Sequence, residues 1–149
     1  MATLERAIQI AQEAHAGQVD KGGADYIGHP LRVMEMCETE EQKIVGVLHD
    51  VVEDSAWTFK MLEDEGFSVG IVESLKCLTK QSKDENYDDF IRRVMKNELT
   101  MRVKVRDLED NLDLSRLHDV TDIDIQRGAK YYAAHDKLTT IIEYLDLQK

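Results

Sequence analysis

The chain has 149 residues, a length typical of one domain, so we expect residues 1–149 to form a single domain. Hydrophobic residues make up 42% of it and charged residues 33%, which predicts a packed core beneath a strongly solvated surface. Thirty Asp and Glu against nineteen Lys and Arg give a net charge of -11, which argues against nucleic acid or an anionic membrane as a partner. An anionic ligand would therefore need local positive charge at its binding site, such as that of a metal ion.

The sequence shows neither a membrane span nor a secretion signal. Its longest wholly apolar run is residues 44–48, whereas a helix needs about 20 apolar residues to cross a bilayer. The first six residues carry an acid and a base where a signal peptide would be apolar, so we expect a cytoplasmic protein. Cys37 and Cys77 are too few for a disulfide scaffold, and we interpret them as reduced thiols.

Helical periodicity runs from end to end, and no stretch alternates apolar and polar residues as a half-buried strand does, so the fold class is predicted to be all-α. The first helix is expected to begin with a cap at Thr3 and to stop near Gly17. A glycine-containing loop follows. The second helix is expected from about Pro30, which fits a first turn, to Cys37, and this places His29 at a helix entrance.

A third helix is predicted over residues 41–52, where the density of apolar residues suggests a central position. Thr58 is expected to cap a short helix that Gly66 ends, and the polar segment 81–86 is expected to be a loop. Apolar stripes at helical spacing predict the remaining helices at about residues 69–78, 87–95, 101–112 and 123–145.

Two ionisable neighbours, His49 and Asp50, lie within the apolar third helix, where burying them without a partner would be costly. Glu53 follows His49 by four residues and Asp54 follows Asp50 by four. The two pairs therefore fall on adjacent faces of the helix, and the members of each pair are one turn apart. A single buried His is usually a hydrogen-bonded core residue, and an acidic pair is usually a solvated helix end. Because all four occur together, we favour a metal site with an acidic pair beside it.

The run Val-Leu-His-Asp-Val-Val-Glu-Asp-Ser at 47–55 resembles the HD-domain signature of the alarmone hydrolases, the family of RelA- and SpoT-type hydrolase domains and small stand-alone enzymes. Further motifs occur in the family's order: Ala-His-Ala-Gly-Gln at 14–18, Tyr-Ile-Gly-His-Pro at 26–30, and Val-Lys-Val-Arg-Asp at 103–107 followed by Asn111. The resemblance covers about residues 7–117 and implies a compact, single-domain helical HD-domain fold. Because no synthetase domain follows, the chain resembles a stand-alone hydrolase.

The resemblance also implies a ligand set for a manganese ion, with another divalent ion as an alternative. Two His and two Asp hold the metal in the family, and these positions correspond here to His29, His49, Asp50 and Asp107. Imidazole and carboxylate suit such ions, and the lack of nearby Cys disfavours structural zinc.

By the same resemblance, Glu53 and Asp54 match the family's catalytic acidic pair. The implied reaction is removal of the 3′-pyrophosphate of (p)ppGpp or (p)ppApp, which releases pyrophosphate and a nucleoside di- or triphosphate. Lys21, Tyr26 and Asn111 match positions that contact the nucleotide. Apart from the resemblance, Lys21 is equally well explained as a cation of a solvated loop, and Tyr26 as an aromatic residue that packs in the core.

Two positions depart from the family's pattern. Asp20 stands where the longer members carry an Arg that stacks on guanine, and a carboxylate cannot make that contact, so guanine and adenine both stay open. Asp110 stands where the family usually has His, and we expect this change to remove a hydrogen-bond donor near the pocket.

Two other functions remain open from the sequence. An HD-type phosphatase could act on another nucleotide, either a nucleoside monophosphate or the 2′-phosphate of NADPH. A non-catalytic nucleotide-binding module ranks last, because both Glu53 and Asp54 are present. The expected partner is a small-molecule nucleotide, and the sequence leaves open whether the chain forms a homo-oligomer.

Overall fold

The computed structural model describes residues 2–149 and confirms the all-α prediction. Within these residues it contains helices, a short 3₁₀ turn at Leu114–Arg116 and no strand apart from an isolated bridge between Val19 and Asp25. The helices are α1 Leu4–Ala14, α2 Gly28–Met36, α3 Glu40–Leu48, α4 Val51–Asp54, α5 Phe59–Glu65, α6 Val69–Leu78, α7 Tyr87–Val94, α8 Glu98–Leu112 and α9 Asp122–Leu147.

Side-chain caps explain where most of these helices begin. Thr3 and Thr58 accept hydrogen bonds from the backbone of Arg6 and Met61, as the sequence predicts. Gly66 ends α5 with a φ of 100°, a left-handed conformation that favours glycine. Further caps of the same kind, which the sequence analysis did not identify, are Thr39, Ser68, Asn86, Asn97 and Thr121.

The prediction of one continuous helix over residues 41–52 is wrong. The structure ends α3 at Leu48 and starts α4 at Val51, with a turn at His49 and Asp50. The Nδ1 of His49 donates to the carbonyl oxygen of Gly46 at 2.6 Å, which is the acceptor that the amide of Asp50 would use in a regular helix. The imidazole N–H therefore takes the place of one backbone hydrogen bond of the helix, and His49 and Asp50 lie in a turn outside the regular helix.

The core surrounds α3, which packs against α1, α2, α6 and α8, while α9 lies along α8. Val45 and Val47 of α3 are fully buried, and so is Leu138 of α9. Within residues 2–149, no helix combines the length and apolar character that a membrane crossing requires. The central position predicted for the third helix is thus confirmed for α3.

Replacing Leu138 by Ala should destabilise the protein by about 2–5 kcal/mol, because the side chain is fully buried between α9 and the core. Chemical denaturation followed by circular dichroism measures this free energy of unfolding. Leu147→Ala on the same helix is the control, since that side chain is 82% exposed and should shift the value by less than about 0.5 kcal/mol. Equal effects of the two variants would contradict the docking of α9 described here.

Candidate active site

Four side chains from three parts of the fold converge at one buried point. His29 comes from the first turn of α2, His49 and Asp50 from the turn between α3 and α4, and Asp107 from α8. The Oδ1 of Asp107 lies 2.9 Å from Nε2 of His29 and 3.2 Å from Nε2 of His49. The Oδ2 of Asp50 lies 3.0 Å from Nε2 of His49 and 3.8 Å from Nε2 of His29. The structure thus brings together the four residues that the sequence assigns to a metal.

Both imidazoles direct Nε2 towards this cluster because Nδ1 is occupied elsewhere. Nδ1 of His49 donates to Gly46, and Nδ1 of His29 lies 2.6 Å from Oδ2 of Asp110. Despite its closeness to two carboxylates, Nε2 of His49 is buried and makes no hydrogen bond to any described residue. An unpaired buried nitrogen that faces carboxylate oxygens is a suitable metal ligand.

The cluster stabilises positive charge. Burial acts to lower the pKa of His49, but Asp50 and Asp107 raise that pKa well above its ordinary value. Burial acts to raise the pKa of Asp50, yet His49 lowers it to about 2. Burial likewise opposes ionisation of Asp107, but Lys104 and His49 hold its pKa well below the usual range. Two ionised carboxylates beside two inward-facing imidazoles provide the field that a divalent cation would meet.

The geometry of the donor atoms fits a metal ion. Ligand atoms of His29, His49 and Asp50 all lie within 4.8 Å of one another, and the contacts of Asp107 with both imidazoles add a fourth donor. The donors are nitrogen and oxygen only, a set that suits Mn²⁺ and similar ions better than it suits structural zinc.

The acidic pair lies on α4, one turn beyond the cluster. A carboxylate oxygen of Glu53 accepts from the backbone amide of Lys80 at 3.4 Å, and the side chain lines the adjoining cavity. Asp54 is not among the described residues that line the cavity. Partial burial, followed by the charges of Asp50 and Glu53, raises the pKa of Asp54 to about 6. The two acids therefore differ in position, and the raised pKa of Asp54 brings its titration closer to neutral pH.

Gln18 connects the acidic pair to the end of α1. Its amide nitrogen donates to the carbonyl oxygens of Asp54 at 2.8 Å and Ala14 at 3.2 Å, and its amide oxygen lies 2.9 Å from Nδ1 of His15. His15 is buried. The loop before His29 and the end of α4 are thereby joined through one amide.

A cavity of about 410 Å³ opens onto the cluster. All three residues that the resemblance assigns to nucleotide binding line it: Lys21, Tyr26 and Asn111. Two of them also hold the cluster, since the Tyr26 hydroxyl donates to Asp50 at 2.5 Å and Asn111 donates to Asp107 at 3.2 Å. Tyr26 is therefore more than a packing aromatic. The further cations that line the cavity are Arg32, Lys80, Lys104, Arg116 and Arg127.

The loop that carries Lys21 is fixed by Asp20. The Oδ1 of Asp20 accepts from the backbone amides of Gly22 at 2.9 Å and Ala24 at 3.0 Å. The loop also lies close to the 3₁₀ turn, because a Cβ at position 22 would come within 2.5 Å of the carbonyl oxygen of Arg116. Asp20 thus holds the loop through backbone hydrogen bonds, whereas the Arg that the longer family members carry at this position provides a planar cation.

The expectation for Asp110 needs correction. From the sequence we expect only the loss of a donor at this position, but the carboxylate is buried and accepts hydrogen bonds from His29 and from Nε of Arg32 at 2.8 Å. Lys104, which donates to Oδ2 of Asp107 at 2.7 Å, was also missed. Helical spacing places 104, 107 and 110 on one face of α8 and Arg32 one turn after His29, but it does not show that the two helices meet.

The chain is similar to known proteins of the SpoT type. No established family profile matches the chain. The bifunctional (p)ppGpp synthase/hydrolase SpoT of Escherichia coli K12 is 30% identical over 122 residues, which is 73% of this chain and 17% of that protein. The guanosine-3′,5′-bis(diphosphate) 3′-pyrophosphohydrolase of Aquifex aeolicus is 30% identical over 118 residues, which is 74% of this chain and 17% of that protein. The chain is homologous to a part of the SpoT-type proteins.

The fold agrees as well. A solved structure of a metazoan ortholog of SpoT, described as hydrolysing ppGpp, superposes with a TM-score of 0.72 at 22% identity and covers 93% of this chain and 84% of that one. The family resemblance and the predicted helical fold of the alarmone hydrolases are thereby confirmed. The chain spans about a sixth of the length of the curated SpoT-type relatives.

Asp20→Ala should free the loop at residues 20–25. We expect the amide hydrogens of Gly22 and Ala24 to exchange about fivefold faster, the factor for roughly 1 kcal/mol of hydrogen bonding. Hydrogen–deuterium exchange followed by NMR measures both amides. Asp25→Ala, at an exposed side chain in the same loop, is the control. Unchanged exchange at Gly22 and Ala24 would show that Asp20 does not hold the loop.

Proposed function

We propose that the chain is a metal-dependent pyrophosphohydrolase that removes the 3′-pyrophosphate of (p)ppGpp or (p)ppApp. One observation carries this proposal. The imidazoles of His29 and His49 and the carboxylates of Asp50 and Asp107 converge beside a cavity that Glu53 also lines. The similarity to proteins named for (p)ppGpp hydrolysis supports the substrate class. The products would be GDP or GTP, or their adenine counterparts, together with pyrophosphate.

The proposed ligands of the metal ion are His29, His49, Asp50 and Asp107, and Mn²⁺ is the proposed ion. When bound, a divalent ion supplies positive charge to the phosphoryl oxygens and lowers the pKa of water. Tyr26 and Asn111 hold the two carboxylates from the cavity side. Lys104 neutralises part of the charge on Asp107 from the opposite oxygen.

Glu53 is the proposed base. Its side chain lines the cavity and accepts a hydrogen bond from the amide of Lys80, so it can orient a water molecule and accept its proton. Asp54, the second acid of the proposed catalytic pair, lies beside Glu53 outside the described cavity lining, and its pKa, raised to about 6, lets it hold or release a proton close to neutral pH. Gln18 fixes the backbone of this pair through the carbonyl of Asp54.

The nucleotide is proposed to lie in the 410 Å³ cavity, with Lys21, Tyr26 and Asn111 as its contacts. Lys80 and Arg127 line the same cavity and could meet further phosphates. Since Asp20 is engaged with the loop backbone, recognition of the base rests on other side chains, and both guanine and adenine alarmones are proposed substrates.

All proposed ligands and acids lie within one helical unit, so we propose that the described residues suffice for catalysis as a single domain. The proposed partner is a small nucleotide, and the net charge of -11 disfavours nucleic acid. The cytoplasmic location stays a prediction, and whether the chain forms a homo-oligomer stays open.

The reaction is tested by incubating the purified protein and Mn²⁺ with ppGpp and ppApp and measuring pyrophosphate and nucleotide products. We expect release that stops with a chelator and returns when Mn²⁺ is added again. The ratio of the two rates reports the base preference. Release of orthophosphate from NADPH or a nucleoside monophosphate, with none of pyrophosphate from either alarmone, would overturn the proposal in favour of a different phosphatase.

Glu53→Gln should keep Mn²⁺ binding and lower kcat by at least about 10²-fold, because the side chain keeps its size but loses the base. Asp107→Asn should lose the ion as well as the activity, since it removes a carboxylate ligand. Kinetics and Mn²⁺ titration by electron paramagnetic resonance separate these two effects. Glu63→Gln, at an exposed position on α5, is the control and should behave as the wild type. A Glu53→Gln variant with normal turnover would refute the role of the base.

A further inference from the structure

His29 and His49 are oriented by different kinds of acceptor. Nδ1 of His49 donates to the backbone carbonyl of Gly46 at 2.6 Å, a contact that belongs to its own helix. Nδ1 of His29 lies at the same distance, 2.6 Å, from a carboxylate oxygen of Asp110, which is 81 residues away in sequence. The orientation of His29 therefore depends on a side chain of α8 that the fold brings next to it.

Asp110 is itself fixed on several sides. Arg32 donates through Nε to Oδ1 at 2.8 Å and through Nη2 to Oδ2 at 3.2 Å, a two-point contact that sets the plane of the carboxylate. Arg116 donates to the backbone oxygen of Asp110 at 3.0 Å and lies 3.4 Å from its Oδ1. With 6% of the residue exposed, the carboxylate has little freedom to turn away from His29.

This arrangement keeps a proton on Nδ1 of His29. An ionised carboxylate accepts hydrogen bonds only, so the ring nitrogen beside it must be the donor. Nε2, on the opposite side of the ring, faces Asp107 at 2.9 Å and is then the nitrogen at which an ion would displace the proton and bind the lone pair. Arg32 offsets the charge of Asp110, so the carboxylate orients the ring while its own charge is balanced.

We propose that Asp110, clamped by Arg32 and Arg116, is a positioning residue that fixes His29 as a metal ligand. The inference rests on the proposed metal centre. Asp110 stands where the family usually has His, and here this Asp has the role of orienting a metal ligand. Partners of this kind, which bind the outer nitrogen of a ligating His, change metal affinity by about 10- to 100-fold.

The test is Mn²⁺ titration of Asp110→Ala by electron paramagnetic resonance, together with NMR of the imidazole protons in the metal-free protein. We expect the Kd for Mn²⁺ to rise about 10- to 100-fold. The Nδ1 proton signal of His29 should be lost to exchange with solvent, while that of His49, bonded to Gly46, should persist. A purely structural role would not separate the two rings. Asp110→Asn keeps the volume and one acceptor, so it should give an intermediate Kd even if the Ala variant fails to fold.

Glu109→Gln is the matched control. Glu109 adjoins Asp110 and also contacts one Arg and one His, Arg106 at 2.7 Å and His135 at 3.1 Å, but it does not line the cavity among the described residues. Its Kd for Mn²⁺ should equal that of the wild type. Wild-type affinity and an unchanged His29 signal in Asp110→Asn would overturn the inference alone. Failure of the wild type to bind Mn²⁺ would overturn the metal centre and this inference together, whereas missing alarmone hydrolysis with normal Mn²⁺ binding would overturn only the proposed reaction.

Discussion

The carboxylate of Asp107 is the contact on which the rest of the site depends. One oxygen meets His29, His49 and Asn111, and the other accepts from Lys104. These partners come from α2, from the turn after α3 and from α8 itself, so one buried acid joins three helices. Without its charge, two imidazoles and a lysine would remain buried with fewer compensating partners, a costly state in an apolar interior.

Apolar packing gives this polar cluster its rigidity. Val33 and Leu108 lie on the helices that carry His29 and Asp107, Leu48 directly precedes His49, and all three are 0–1% exposed. Close packing leaves these helices little freedom to shift, and the low polarity around them strengthens each ionic contact. The helix is interrupted only at His49 and Asp50, where the imidazole N–H of His49 replaces the backbone hydrogen bond to the carbonyl of Gly46. Fold stability and site geometry therefore rest on the same contacts.

The helices and the His49-Asp50 pair could be predicted from the sequence because both follow short-range rules, whereas His29 and Asp107, 78 residues apart, were implied only by the family resemblance. Apolar periodicity located the helices, and the His-Asp pair with acids four residues later marked the site. The turn after α3 could not be predicted, because its cause is a side chain that competes with the backbone for Gly46. The role of Asp110 was missed for another reason: its partner His29 lies 81 residues away, and only the packing of α2 on α8 brings them together.

The charges around the cavity determine what a polyanionic ligand would meet there. Carboxylates and cations line it in nearly equal numbers, but several of the cations are already committed: Lys104 to Asp107, and Arg32 and Arg116 to Asp110. Arg127 lies 3.5 Å from Asp124, which leaves Lys21 and Lys80 with the weakest ionic commitments among the described cations of the cavity. Two lysines in an acidic chain offer little charge against a pyrophosphate. Most of the attraction for such a substrate must therefore come from the proposed divalent ion, so residues that fix its ligands, Asp110 included, would influence substrate affinity as well as catalysis.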